Sequence, residues 1–322
     1  MRSPRRACTV HAVGMQIDHR LIQLGRTPGA EARTLQRQQE RGVVVRLRPG
    51  VYVEHAVWAE ADARERFVLR THALAAAHPD AVLSHRSAAV AHGLPLVGWL
   101  PERPEVHELR SERTRSTAAV LRRTSLHPTI PVRLGEALAT PLERTLVDLA
   151  ATLPFRFATA PLDAALRRGS SRNALIAELE ESPPHAHRRA LVAISWADGG
   201  AANAGESASR ATILELGFPA PLVQMAASGT PYETDFGWPI WRRRGEFDGL
   251  QKYRAAEFRK GRTPAEVVVD EKLREDAIRA ATGDSFVRWT WSDVMRVKPL
   301  RLALLRAGLP QQRWPGLPRS LS

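Results

Sequence analysis

The sequence predicts a mixed chain, α+β and α/β in class, with a small helix-and-hairpin unit in front, a mainly helical middle and a C-terminal α-β-β-β-α-β core. Three stretches predict it. A basic helical run at 30–40 leads into two β-rich runs about Arg48-Pro-Gly50. Helical periodicity dominates 56–198. Two extended runs then flank a Gly237-Trp-Pro239 break and are followed by a long charged helix and an aromatic strand. The segments read as 1–14 a disordered extension, 15–55 the front unit, 56–198 the middle, 199–308 the C-terminal core and 309–322 a frayed tail.

At 322 residues the chain can hold two or three domains with sizeable cores. Hydrophobic residues at 43% and charged residues at 25% fit a soluble globular protein. No apolar run reaches the roughly 18 residues of a membrane span. The basic start lacks an apolar segment and cleavage site, so no signal peptide is read, and Met15 is an alternative start. The single Cys8 excludes an internal disulfide framework and a cysteine-based zinc site, which fits a reducing, cytoplasmic setting. Net charge is +13, supplied mostly by arginine, with a pI near 11.1. That balance points to nucleic acid, because guanidinium suits phosphate and guanine contacts. Arginine is also the ordinary surface cation of GC-rich genomes.

In the front unit, Ile17 to Leu24 is a short helical pattern, broken by Thr27-Pro-Gly29. Ala30 to Glu40 is a second helix, closed by Gly42, with Arg33, Gln36, Arg37 and Gln39 outward. Arginine and glutamine are types that reach base edges in a major groove. Val43 to Val53 follows as two strands about a tight turn, the composition of a wing. Residues 1–50 carry ten Arg against three Asp/Glu, a local charge of +7. Helix, basic helix and basic hairpin together read as a winged helix-turn-helix. Arg33, Gln36 and Arg37 then address the major groove, and Arg46 and Arg48 the backbone or minor groove. The alternative is a helical cap on the next domain.

In the middle, Trp58 to His78 is an Ala-rich helix, and Ser84 caps a short helix ending at Gly93. Glu105 to Arg110 and Ala119 to Arg122 read as short strands. Thr140-Pro-Leu-Glu143 is a capping box whose helix places Leu142, Thr145, Leu146 and Leu149 on one face. Further helices fall at roughly 158–168, 172–182 and 187–197. Ser84-His85 and His92 lack a nucleophile-elbow context and read as structural. Asp198 to Gly205, all small residues, is the clearest domain boundary.

Beyond it come a helix at 206–216, a strand at 222–227, the hairpin at 232–249, a helix at 264–281, a strand at 285–291 and a last helix at 298–307. Strand alternation puts Glu246 and Asp248 on one face, with Asp235 on the partner strand. Carboxylates crowded this way repel and raise each other's pKa. A metal, an arginine or open water compensates. Arg242, Arg243 and Arg244 are candidate neutralising groups.

Two resemblances attach to these motifs. Arg46-Leu-Arg-Pro-Gly-Val-Tyr-Val53, Pro79 to Pro95 and Thr140 to Ala150 resemble AbiEi-type antitoxins, the regulator half of type IV toxin–antitoxin systems. That resemblance implies operator binding and autorepression, with a nucleotidyltransferase toxin countered without direct contact. Gly205-Glu-Ser207, Tyr232-x-x-Asp235-Phe236, Gly245-Glu-Phe-Asp-Gly249 with Lys252-Tyr253, and Glu271-Lys-x-Arg274-x-Asp276 resemble very-short-patch-repair (Vsr-like) domains of the restriction-endonuclease-like superfamily. That resemblance implies Mg²⁺ held by Glu206, Asp235 and Glu246, and oxygen ligands suit so hard a cation. Asp248 stands where the superfamily has a lysine. Lys252 or Lys272 then supplies the cation from elsewhere, Asp248 is a further ligand, or the site is inactive. The expected function is double-stranded DNA binding as an antitoxin-type transcriptional regulator. The competing expectations are a Mg²⁺-dependent DNA endonuclease delivered by the winged helix, and a non-catalytic interaction module.

Overall fold

The computed structural model describes residues 15–16, 18–24, 29–109, 116–125, 127–249 and 264–312. The extension at 1–14, Cys8, Lys252, Tyr253 and the tail from 313 lie outside the described residues. The chain is mixed α and β and divides into two compact units: residues 1–94 with 99–146, and residues 95–98 with 147–322.

In the first unit, strand β1 (Leu21–Gln23) precedes helix α1 (Ala30–Glu40), β2 (Val44–Arg48) and β3 (Val51–Glu54). The sheet order is β1-β3-β2, antiparallel throughout. The expected helix over 17–24 is thus corrected: Leu21 pairs with Val53 and Gln23 with Val51. Short apolar runs fit both periods, and the open edge of β3 decides for strand. Leu21, Val51, Val53 and Leu69 form the apolar cluster beneath.

The expected helix over 58–78 is two helices, α2 (His55–Glu60) and α3 (Ala63–Ala77). Asp62 starts the second one: its carboxylate accepts from the Glu65 N–H at 2.9 Å, and Glu65 reciprocates at 3.1 Å. Helix α4 (His85–Ala91) follows strand β4 (Val82–Leu83).

The segment expected to be mainly helical also carries a sheet. Strands β4, β5 (Glu105–Leu109), β6 (Leu121–Ser125), β7 (Val132–Leu134) and β8 (Ala137–Ala139) pair in the order β6-β5-β4-β8-β7. Helix α5 (Leu142–Thr152) comes next, behind Thr140. The Thr140 hydroxyl lies 2.7 Å from that of Thr145, both fully buried.

Acid is expected to loosen the first unit in two steps. The Asp18 carboxyl is held at about 2 by hydrogen bonds from Arg20, and burial holds His72 below the usual imidazole value. The His72 Nδ1 accepts the Asp18 N–H at 3.1 Å, which requires the neutral ring. A depressed folded pKa gives stability that is complete above the unfolded value and lost below it. His72 therefore withdraws stability as pH falls below about 6.5, and Asp18 withdraws more between about 4 and 2. The Arg20 side chain is 33% exposed, so screening limits the Asp18 part to about 1 kcal/mol. Urea midpoints measured from pH 7 to pH 3 check this, and Asp18→Asn removes the lower step.

The second unit contains α6 (Phe155–Arg167), α7 (Arg172–Glu181), α8 (His187–Trp196) and α9 (Ala204–Glu215). Strands β9 (Leu222–Ala226), β10 (Glu233–Trp238) and β11 (Arg243–Asp248) follow. Then come α10 (Pro264–Thr282), β12 (Ser285–Thr290), α11 (Trp291–Arg296) and α12 (Lys298–Arg306). The sheet order is β12-β11-β10-β9, with β11 and β12 parallel and the other pairs antiparallel. A 3₁₀ turn at Pro239–Trp241 joins β10 to β11, closed by Arg242 in the left-handed conformation at φ 53°. Phe236, Trp238, Phe247 and Trp289 fill the core with Ile213, Leu300 and Leu304. The indole N–H groups are satisfied: Trp289 donates to Ser209 Oγ at 2.9 Å and Trp238 to the Pro219 carbonyl at 2.8 Å.

The stretch 198–205 lies inside this unit, so a boundary there is corrected. The Asp198 N–H donates to Asp163 Oδ1 at 2.7 Å, Arg167 donates to the Ala201 carbonyl, and Ala201 is fully buried. Small residues here allow close passage of the chain.

Two motif glycines have a packing reason. A Cβ at Gly205 would overlap the Phe247 ring, and one at Gly245 would overlap Trp289. Helix α9 thereby sits close on β11. Gly205→Ala is expected to cost about 1–3 kcal/mol through overpacking, read as a lower urea midpoint with unchanged m.

Candidate functional site

The first candidate is the outer face of α1. Leu35, 5% exposed, packs on Val44 and Tyr52 and anchors the helix to the sheet. Residues three and four apart share a face, so Arg33, Gln36 and Arg37 stand together on the opposite side, all exposed. Among the described residues the Gln36 amide reaches only Glu40 Oε1, at 3.4 Å. Arg46 is exposed on β2. Arg48 is not: it is 8% exposed, and its guanidinium donates to the Ala119 carbonyl. The strand's bulge between Arg46 and Arg48 turns it inward. Burial pulls its pKa down, with Arg70 repelling it as well. The expectation that Arg48 meets an outer DNA backbone is therefore corrected.

The second candidate is the carboxylate set of the C-terminal unit. Antiparallel register pairs Phe236 with Gly245, which sets Asp235 and Glu246 side by side on β10 and β11. Asp235 Oδ2 accepts the Phe247 N–H at 2.8 Å. Glu246, 3% exposed, is ion-paired with Arg274 of α10 at 2.9 Å. Glu206, 2% exposed in the first turn of α9, accepts from the Ala202 N–H and from Gln224 Nε2, each at 2.8 Å, and from Asn203 Nδ2. Asp248 meets Arg288 of β12 at 3.0 Å. That guanidinium also holds Glu271 at 3.0 Å and Glu275 at 2.8 Å. Burial works against the Arg288 charge, but the hydrogen bonds it donates to Glu271 and Glu275 and the Asp248 charge outweigh burial and raise its pKa.

Arginine thus compensates Glu246 and Asp248, and it comes from α10 and β12. Arg242, Arg243 and Arg244 serve elsewhere. Arg244 pairs with Asp284 at 2.9 Å, Arg243 donates to the Ala307 carbonyl, and Arg242 donates to the Thr282 carbonyl at 3.0 Å. The motif that contains Arg274 gives it no role, and Arg288 lies beyond that motif. The available signal was Glu271 and Glu275, one turn apart on a helix leading to Arg288.

The residues do not fit a bound Mg²⁺ as they stand. Among the described residues no group of three or more His, Cys, Asp and Glu is placed to hold a metal ion. Glu246 faces a guanidinium, Glu206 is taken up by amide donors, and Asp235 by a main-chain N–H. Lys252 lies outside the described residues, and Lys272 is exposed on α10.

No protein-family model matches the chain. It is 32% identical over 169 residues to uncharacterized proteins of Mycobacterium tuberculosis, one in strain CDC 1551 / Oshkosh and one in strain ATCC 25618 / H37Rv. The match covers 46% of this chain, and the chain spans 61% of each relative's length. Among the described residues no helix is long and apolar enough to cross a membrane.

Proposed function

We propose that the chain binds double-stranded DNA through its first unit, as a cytoplasmic transcriptional regulator of antitoxin type. The observation that carries this reading is the exposed row Arg33, Gln36 and Arg37 on α1, beside a hairpin that exposes Arg46. A helix about 10–12 Å across fits a major groove about 12 Å wide, and 11 residues make it about 16 Å long. Leu35 fixes the helix on its sheet, so the row is presented by a rigid element. The strand–helix–hairpin order supports a winged-helix docking mode, with α1 as the recognition helix. Autorepression next to a nucleotidyltransferase toxin gene is the biological setting of this proposal. Selection of bound duplexes from a random pool tests it: a recovered consensus supports the reading, and uniform recovery of all sequences overturns it.

A second reading, a Mg²⁺-dependent endonuclease, draws on the helix–three strands–helix–strand order of the C-terminal unit and on the adjacency of Asp235 and Glu246. The arginine-locked carboxylates do not support it, and no catalytic step is derived through a metal. Supercoiled plasmid incubated with the chain and Mg²⁺ is expected to stay intact. Nicking that Glu246→Gln abolishes would establish the nuclease instead.

A further inference from the structure

We infer that a cavity in the first unit, between β2, α2, α3 and the segments before β5 and β6, is a binding site for a phosphate or diphosphate group. The cavity measures about 260 Å³ and is lined by Arg46, Arg48, Arg70, Arg103, Trp58 and Glu102 with apolar neighbours. Four arginines and a single acidic residue thus line it.

The partners of these arginines carry the argument. Elsewhere in the chain a buried arginine meets a carboxylate: Arg86 meets Glu105 at 3.1 Å, Arg210 meets Asp163 at 3.2 Å and Arg244 meets Asp284 at 2.9 Å. In the cavity the guanidinium groups of buried Arg48, half-buried Arg70 and exposed Arg103 meet main-chain carbonyls instead. Arg48 donates to Ala119, Arg70 to Glu102 at 3.1 Å and Arg103 to Thr117 at 2.9 Å. Among the described residues none of Arg46, Arg48, Arg70 and Arg103 forms an ion pair. Carbonyl bonds fix a guanidinium in place without cancelling its charge. Burying Arg48 without a counter-ion is unfavourable; its burial first, and the charge of half-buried Arg70 second, lower its pKa. An entering anion relieves both penalties.

Phosphate suits this lining, because the planar guanidinium fork binds its oxygens in pairs. Trp58 stiffens the wall, with Arg66 and Arg70 stacked 5.2 Å and 4.9 Å from its ring centre. The volume falls below the roughly 300–1,000 Å³ of sites for drug-sized ligands, which favours a phosphate group over a whole dinucleotide. That group could belong to a nucleic-acid backbone or to a free phosphorylated small molecule. The inference stands without the DNA-binding proposal.

Inorganic pyrophosphate titrated into the full chain at constant ionic strength, followed by calorimetry, tests it. Saturable binding is expected, weakened about tenfold or more in Arg103→Glu and in Arg70→Gln. Arg188→Glu, an exposed change of equal charge on α8, is expected to leave it intact. Thermal melts check that the variants fold, and Arg70→Gln decides if Arg103→Glu does not. Absence of saturable binding, or equal loss in Arg188→Glu, overturns the site. Competition with labelled duplex then separates the sources. Displacement assigns the pocket to a backbone phosphate, simultaneous binding assigns it to a free phosphorylated ligand, and both support the site. A chain that binds pyrophosphate and no duplex would sink the DNA proposal alone.

Discussion

Replacing Arg37 with alanine is expected to remove most of the discrimination between a selected operator and unrelated DNA, while the fold survives. Arg37 is exposed in the last turn of α1, so truncation exposes no cavity and strands no partner among the described residues. A bidentate arginine–guanine contact is worth about 1–3 kcal/mol of discrimination, roughly fivefold to 150-fold in affinity for the preferred site. Affinity for random duplex should fall far less. Arg46→Ala should do the reverse, weakening all sequences alike and reducing the salt slope by about one. Arg48 belongs to neither class, since its guanidinium is turned inward to Ala119. Fluorescence anisotropy over a salt series, on selected and scrambled duplexes, separates these effects. Equal loss on both duplexes in Arg37→Ala would remove α1 from base recognition. Unchanged binding in both variants would remove the first unit from DNA altogether.

How much of this was legible in the sequence depends on how long each signal runs. Helix α1 falls at 30–40 as expected, because Gly29 and Gly42 bracket a run with a single apolar anchor, Leu35. The hairpin of β10 and β11 was equally clear, since Pro239 ends one strand and alternation marks the next. Strands β4, β7 and β8 were not, because two or three residues carry no period. Their pairing is decided by distant partners, as when Val82 joins Leu138. The 198–205 stretch misled for a different reason. Glycine and alanine mark flexible linkers and close packing alike, and only burial tells them apart. Within the candidate site, strand alternation marked Asp235, Glu246 and Asp248, and Glu206 came only from the resemblance. The compensating arginines lie 28 and 40 residues from the carboxylates they serve, a distance at which local pattern has no voice.

The buried pair of Asp163 and Arg210 is expected to carry the largest stability effect in the second unit. Asp163 is fully buried on α6 and Arg210 is 5% exposed on α9. Arg210 Nη2 reaches the carboxylate at 3.3 Å and 3.2 Å and the Trp196 carbonyl at 2.8 Å. The Asp198 N–H reaches the same carboxylate at 2.7 Å. One ion pair therefore joins both helices to the glycine-rich stretch between them. Arg210→Met leaves a buried carboxylate without its cation, a loss of about 3–5 kcal/mol against a typical domain stability of about 5–15 kcal/mol. The pH dependence identifies the cause. Burial already raises the Asp163 pKa, and Arg210 is the charge that opposes the rise. Without Arg210 it climbs further. A raised folded pKa means stability that is present at low pH and lost as pH rises through the folded value. The deficit of Arg210→Met should therefore be greatest at neutral pH and shrink on acidification, as the carboxyl becomes neutral. Asp163→Leu combined with Arg210→Met removes both charges and should recover most of the loss, because an apolar pair in such a place is often neutral or stabilising. Urea unfolding followed through Trp238 and Trp289 fluorescence reads the second unit. A deficit independent of pH, or a double variant no better than the single one, would mean that lost packing rather than the stranded charge governs the site.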